Sequence, residues 1–156
     1  MRLRPIPEAL PPLTPHLVVR DACAALDHYR DAFGARETSR IKGPDGRVIF
    51  AEMSIGDARI FVVDEFPEQG ALSPTTLGGT PVALHLYVAS VDDVFARAVA
   101  AGMTAEMPVA DFFWGERYGQ VRDAFGHVWG LASRIEDLSP RQIQERADAF
   151  YNQHRA

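Results

Sequence analysis

The chain has 156 residues, of which 47% are hydrophobic and 24% charged, and a formal net charge of -5. That is the balance of an ordinary soluble chain, long enough to bury one sizeable core or to hold two small fused modules. The acidic total, with no Lys/Arg cluster, argues against a nucleic-acid partner and permits a cationic small ligand. Cys23 stands alone, so no disulfide forms within the chain and a cytoplasmic setting is expected. No apolar run reaches membrane-spanning length, so no membrane partner is expected. The opening MRLRPIPEALPPL, in a stretch with five prolines among its first fifteen residues, reads as an extended lead-in without a signal core.

Leu17-Val18-Val19 predicts a short strand. Asp21 can cap a helix in which Ala22, Leu26, Tyr29 and Phe33 share a face, with Gly34 ending it. Strands follow near 36–42 and 47–54, joined by the hairpin sequence Gly43-Pro44-Asp45-Gly46, and a third lies near 59–64 after the Gly56-Asp57 turn. Residues 65–81, rich in Pro, Gly, Ser and Thr, read as a linker. The same order then returns. A strand at 82–88 precedes Ser90-Val91-Asp92-Asp93, which has the form of a capping box, and a helix with Val91, Val94, Phe95, Ala98 and Val99 on one face. Gly102 ends that helix, and strands follow near 104–109, 117–122 and 127–133. The tail Ser139-Pro140-Arg141-Gln142 opens an amphipathic helix with Ile143, Ala147 and Phe150 as its apolar stripe.

The two halves superimpose as sequences. His16-Leu17-Val18-Val19 matches His85-Leu86-Tyr87-Val88 at an offset of 69, Gly34 matches Gly102 at 68, and Arg47 with Arg117 and Gly56 with Gly126 match at 70. A two-copy period near 70 residues indicates a duplicated module, not a repeat array. The expected organisation is a first β-α-β-β-β module at 13–65, a linker at 66–81, a second module at 82–134 and a C-terminal helix at 139–153. The fold class is α+β, the two modules forming a curved mixed sheet around a cleft.

The segment Trp114 to Leu131, WGERYGQVRDAFGHVWGL, holds two strands joined by the turn Asp123-Ala124-Phe125-Gly126. Trp129 reads equally well as core or as site, whereas Trp114 and Tyr118, at the mouth of the hairpin, are expected to face a ligand. Expected ligand-binding residues are His16, Phe61, His85, Tyr87, Phe112, Trp114, Arg117 and Tyr118, a mixture of rings and a few polar groups of the kind that lines small-molecule pockets. No catalytic residue can be assigned. Cys23 has no activating partner, and Asp92-Asp93 is explained by the helix N-terminus.

The runs HLVVRDACAALDHYRDAFGA, VDDVFARAVAAG, FFWGERYGQVRDAFGHVWGLAS and IEDLSP resemble the vicinal oxygen chelate superfamily of glyoxalase I, bleomycin-resistance proteins and extradiol dioxygenases, and within it the PhnB-like branch. The resemblance spans roughly residues 13–140, and Ala124 departs from it where proline is usual. It implies a homodimer. In metal-dependent members it implies four ligands to one divalent ion, which places them near Thr14, Phe61, Ala83 and Gly130. None of these is a good ligand, so no cofactor is expected. A shifted site of His16, His85 and Glu65 is the remaining metal arrangement. The implied function is a protein that binds a small organic molecule, as bleomycin-resistance relatives do. The alternatives are a metal-dependent lyase, isomerase or dioxygenase of the glyoxalase type, or a metal-free enzyme with His16 or His85 as base.

Overall fold

The structure is a computed structural model that describes residues 4–8 and 10–154. The first half contains β1 (His16–Val19), α1 (Ala22–Phe33), β2 (Arg36–Lys42), β3 (Val48–Ile55) and β4 (Ala58–Asp64). A 3-10 turn at Pro67–Gln69 and the one-turn helix α2 (Pro74–Leu77) follow. The second half contains β5 (Ala83–Tyr87), α3 (Val91–Ala100), β6 (Thr104–Asp111), β7 (Glu116–Arg122), β8 (Val128–Arg134) and α4 (Pro140–Gln153).

Each half builds a four-stranded mixed sheet, in the orders β1-β4-β3-β2 and β5-β8-β7-β6. The outer pairs β1/β4 and β5/β8 are parallel, and every other pair is antiparallel. Two compact units result. Among the described residues, one comprises those up to Pro81 together with Ala124–His127, and the other comprises Val82–Asp123 and those from Val128 onward.

In the first unit, α1 buries Ala22, Ala25, Leu26, Tyr29 and Ala32. Ala22, Leu26 and Tyr29 are the predicted stripe, joined by Ala25 and Ala32, while Phe33 is only half-buried. The helix ends at Gly34 in the left-handed conformation at φ 66°. Leu26, Tyr29, Val48, Met53 and Val62 make up the bulk of this core. Phe125 packs edge-on to His28 and Tyr29, with ring centroids 5.7 and 6.4 Å apart. The turn that carries it needs Gly126 at φ 89°. A Cβ there would also meet Pro74 Cβ at 2.8 Å.

The helix N-termini are held from a distance. Asp21 accepts from Ala24 N at 2.9 Å, as its position predicts, but buried Asp64 at the end of β4 accepts from both Ala22 N and Val48 N at 2.7 Å. In the second unit Ser90 occupies the cap position without a side-chain bond, so the predicted capping box does not form. Ser133 on β8 takes over. Its Oγ accepts from Val91 N at 2.9 Å and donates to Val88 O at 2.8 Å. Asp64 and Ser133 are 69 residues apart, as are Ala22 and Val91, so the duplication preserves the device with a different side chain.

The stretch read as a linker is mostly exposed but is anchored at Ser73 and Pro74. Ser73 is fully buried and caps α2, and the Glu65 carboxylate accepts from Ser73 N at 2.6 Å. In the second unit Val91, Val121, Trp129 and Leu131 are buried. Trp129 is 2% exposed and donates through Nε1 to Asp123 at 3.0 Å, which makes it a core residue. β6 runs two residues past the expected end, with register shifts on both sides of Met107. It lies at the sheet edge, where Pro108 costs no ladder bond. The C-terminal helix forms with the full capping box between Ser139 and Gln142. It lies on its own unit, through Phe150 against Phe113 at 5.3 Å and Arg146 bonded to Glu136 at 2.7 Å.

Candidate functional site

Alternation along β7 decides which side chains meet on the second sheet. Glu116, Tyr118 and Gln120 share one face, while Arg117, Gly119 and Val121 share the other. The second face carries α3: a Cβ on Gly119 would strike the Phe95 ring at 3.0 Å. Arg117 therefore belongs to the helix side. Its guanidinium is held by Asp92 at 2.7 and 2.8 Å and by Asp111 at 2.8 Å, which raises its pKa. The structure does not bring this expected site residue to the other site residues, and Glu116 stands there in its place.

The open face collects most of the expected rings. His85 and Tyr87 are neighbours on β5, with centroids 4.7 Å apart, and His85 stacks on Tyr118 at 5.7 Å and 14°. Phe112 and Trp114 come from the β6–β7 turn and stack at 4.4 Å, and Trp114 meets Tyr118 edge-on at 6.4 Å. That turn is closed by Gly115 N to Phe112 O at 3.0 Å, and Gly115 has φ 87°. A side chain at that position would be strained by the positive φ and crowded, with a Cβ 3.0 Å from Leu138 and 3.2 Å from Glu136 O.

Glu116 ties the rings together. It accepts from Tyr87 Oη at 2.6 Å and from Trp114 Nε1 at 2.9 Å. The first bond raises the Tyr87 pKa, so the phenol stays protonated and donating across neutral pH. Beside these groups lies a cavity of about 450 Å³ walled by Tyr87, Trp114 and Glu116 on the sheet side. Arg134, Glu136 and Leu138 from the segment around the end of β8 close it further, with Ile143 of α4. Arg146 bonds Glu136 through two nitrogens at 2.8 and 2.7 Å, which lowers the Glu136 pKa and fixes α4 at the rim.

In the first unit His16 and Phe61 also meet. They are cross-strand partners, edge-on at 6.2 Å, and Phe50 leans on Phe61 at 4.9 Å. His16 lines a smaller cavity of about 160 Å³ together with Val18, Leu72, Pro74 and His127. The His127 ring lies 3.1 Å from Val18 O. In the strand register Phe61 stands opposite His16, and Gly130 stands opposite His85. Glu52 faces Phe61 and Gln120 faces Gly130, so the counterpart of Tyr118 is Phe50, and Arg47 does not correspond to Arg117.

These positions do not suit a metal. In the second unit the β8 position is Gly130, and a Cβ built there would fall 2.7 Å from Tyr118 Oη and 2.9 Å from its ring. The phenol fills the space from which a ligand side chain would extend. In the first unit the equivalent position is Phe61, boxed by Phe50. Glu65, the carboxylate of the shifted site, is committed elsewhere. Bonds from Ser73 and Thr76 lower its pKa to about 2, with Arg20 at 3.6 Å adding to the effect. Among the described residues no three His, Cys, Asp or Glu side chains gather in a cluster that could hold an ion.

The fold and the motifs have counterparts. Residues 10–131 match the model of the Glyoxalase/Bleomycin resistance protein/Dioxygenase superfamily. An uncharacterised protein of Mycobacterium tuberculosis is 44% identical over 137 residues, which cover 86% of this chain and 81% of the relative. A Mycobacterium bovis counterpart shows the same identity, with 90% of its length covered. Among solved structures, TioX from Micromonospora sp. ML1 is 26% identical with a TM-score of 0.63, covering 79% of this chain and 98% of TioX. A PhnB protein from Bacillus cereus shares the fold at 18% identity and a TM-score of 0.61, with 79% and 99% covered. With two β-α-β-β-β units, and with a family model matched across both of them, this chain belongs to the glyoxalase/bleomycin resistance protein/dioxygenase superfamily.

Proposed function

We propose that the protein binds a small organic molecule in the aromatic pocket of its second unit and does so without a catalytic metal. The observation that carries this reading is the pair of bonds by which Glu116 sets Tyr87 and Trp114 at the edge of the cavity. Rings fixed before a ligand arrives lose little freedom on binding, so their contact area goes into affinity. A volume of about 450 Å³ lies in the range of small-molecule sites. The metal-free part of the reading is supported by Tyr118 over Gly130 and by Phe50 against Phe61, apolar or phenolic groups where a chelating enzyme needs carboxylate or imidazole. A cytoplasmic setting and a homodimer belong to the same proposal, and light scattering on the purified protein reads the second.

Elemental analysis of protein purified without chelator separates this reading from a metal-dependent lyase, isomerase or dioxygenase. The expected result is divalent metal well below one equivalent. One equivalent of zinc, nickel, iron or manganese, lost in His16→Ala or His85→Ala, would favour the enzyme.

A further inference from the structure

We infer that the ligand of this pocket is a cation, an organic amine or quaternary ammonium carried on an apolar body. The inference rests on the binding reading above and goes one step beyond it, to the ligand's charge. Three charged side chains line the cavity, and two of them are already neutralised. Glu136 is matched by both terminal nitrogens of Arg146, at 2.8 and 2.7 Å, and Arg134 is matched by Asp137 at 2.8 Å. Among the described residues Glu116 has no ion-pair partner. Its two oxygens accept from Tyr87 Oη and Trp114 Nε1, both neutral donors. These bonds hold the carboxylate still and leave its charge in place. A carboxylate offers about four acceptor sites, so two donors do not exhaust it.

The groups around that charge have the same electrostatic sense. Trp114 is stacked on Phe112 at 4.4 Å, and Tyr118 stands edge-on to both, at 6.4 and 5.9 Å. Aromatic faces carry the negative part of the ring quadrupole and attract cations within about 6 Å. A bound ammonium gains from the rings and from Glu116 together. An anion meets repulsion from Glu116, and the charge of Arg134 is already opposed by Asp137. A neutral molecule gains only contact with the rings, Leu138 and Ile143, which form the bed for the apolar body. The net charge of -5 adds a weak attraction for cations at long range.

The test uses three probes of one shape, 4-phenylbutylamine, 4-phenylbutanol and 4-phenylbutyrate, titrated against the full chain and followed by tryptophan emission. Trp114→Phe identifies the part of the signal that comes from the pocket, since Trp129 is buried. The expected order is amine, then alcohol, then acid, with the amine about tenfold tighter than the alcohol. Glu116→Gln keeps one acceptor oxygen, for Trp114 Nε1, and presents its amide N–H to Tyr87 Oη, which can accept. The amine should fall to the level of the alcohol, whose own affinity should shift by much less. The wild-type ranking carries the test if that variant does not fold. Alcohol or acid binding as tightly as the amine overturns the charge inference and leaves the pocket standing. No Trp114 response to any of the three overturns the pocket reading, and this inference with it.

Discussion

Glu116 and Arg117 are neighbours on β7 with opposite fates. One faces the rings and the other faces α3, because a strand turns successive side chains to opposite sides. Glu116→Ala would leave the Tyr87 hydroxyl and the Trp114 indole without their acceptor. A loss of about 0.5–1 kcal/mol in urea unfolding is expected, because water replaces the acceptor at the exposed Tyr87, with a red-shifted Trp114 emission. Arg117→Ala should leave ligand affinity unchanged, which a titration of both variants side by side would show. The buried capping groups separate in the same way. Asp64→Ala removes a charged acceptor from two backbone N–H groups and should cost about 3 kcal/mol, whereas Ser133→Ala should cost about 1 kcal/mol in the same unfolding assay. The sequence allowed the choice of Glu116 over Arg117. With Tyr118 assigned to the site, alternation through Glu-Arg-Tyr-Gly-Gln places Glu116 and Gln120 beside it. A lone arginine among rings drew the charge assignment instead. Asp64 and Ser133 were not legible in this way, since each caps a helix 42 residues away along the chain.

At the scale of elements, helices and strands were legible because apolar periods of 3.6 and 2 are local properties of the chain. Residues 65–81 were not, since composition alone does not show that Glu65 reaches back to Ser73. That bond has a consequence for acid stability. The Glu65 pKa falls from 4.5 to about 2 on folding, so its stabilising contribution is complete above roughly pH 4.5 and is lost as pH drops toward 2. Melting temperature measured across that window should fall less steeply in Glu65→Gln, whose baseline stability is already lower. α4 is the other element with a checkable role. It has no buried residue, yet Ile143 lines the cavity and Arg146 grips Glu136. A chain ending before Pro140 should keep a cooperative thermal transition, lose only the helical ellipticity of α4, and lose ligand affinity several-fold. Loss of the fold on truncation would show that α4 is structural.

Across the whole molecule, duplication explains what the halves share and where they part. Both place a histidine on the first strand of the sheet, opposite a residue of the last strand, and both cap their long helix from the end of that last strand. They differ in the ring set beside the histidine, Phe50 with Phe61 in one and Tyr118 over Gly130 in the other. The family scaffold hosts many chemistries, so function has to be argued from these side chains and not from the fold. They wall a pocket in which, among the described residues, Glu116 has no ion-pair partner, and Tyr118 lies over Gly130 as Phe50 lies against Phe61. The most direct test is a thermal-shift screen of small organic molecules in EDTA, run in parallel on wild type and Trp114→Ala. A ligand that binds only the folded state at a hundred times its Kd adds about 2.7 kcal/mol and a readily measured rise in melting temperature. Metal-free binding in this pocket predicts hits on wild type that persist in EDTA and vanish in Trp114→Ala. Hits that need an added divalent ion, or that survive loss of Trp114, would contradict it.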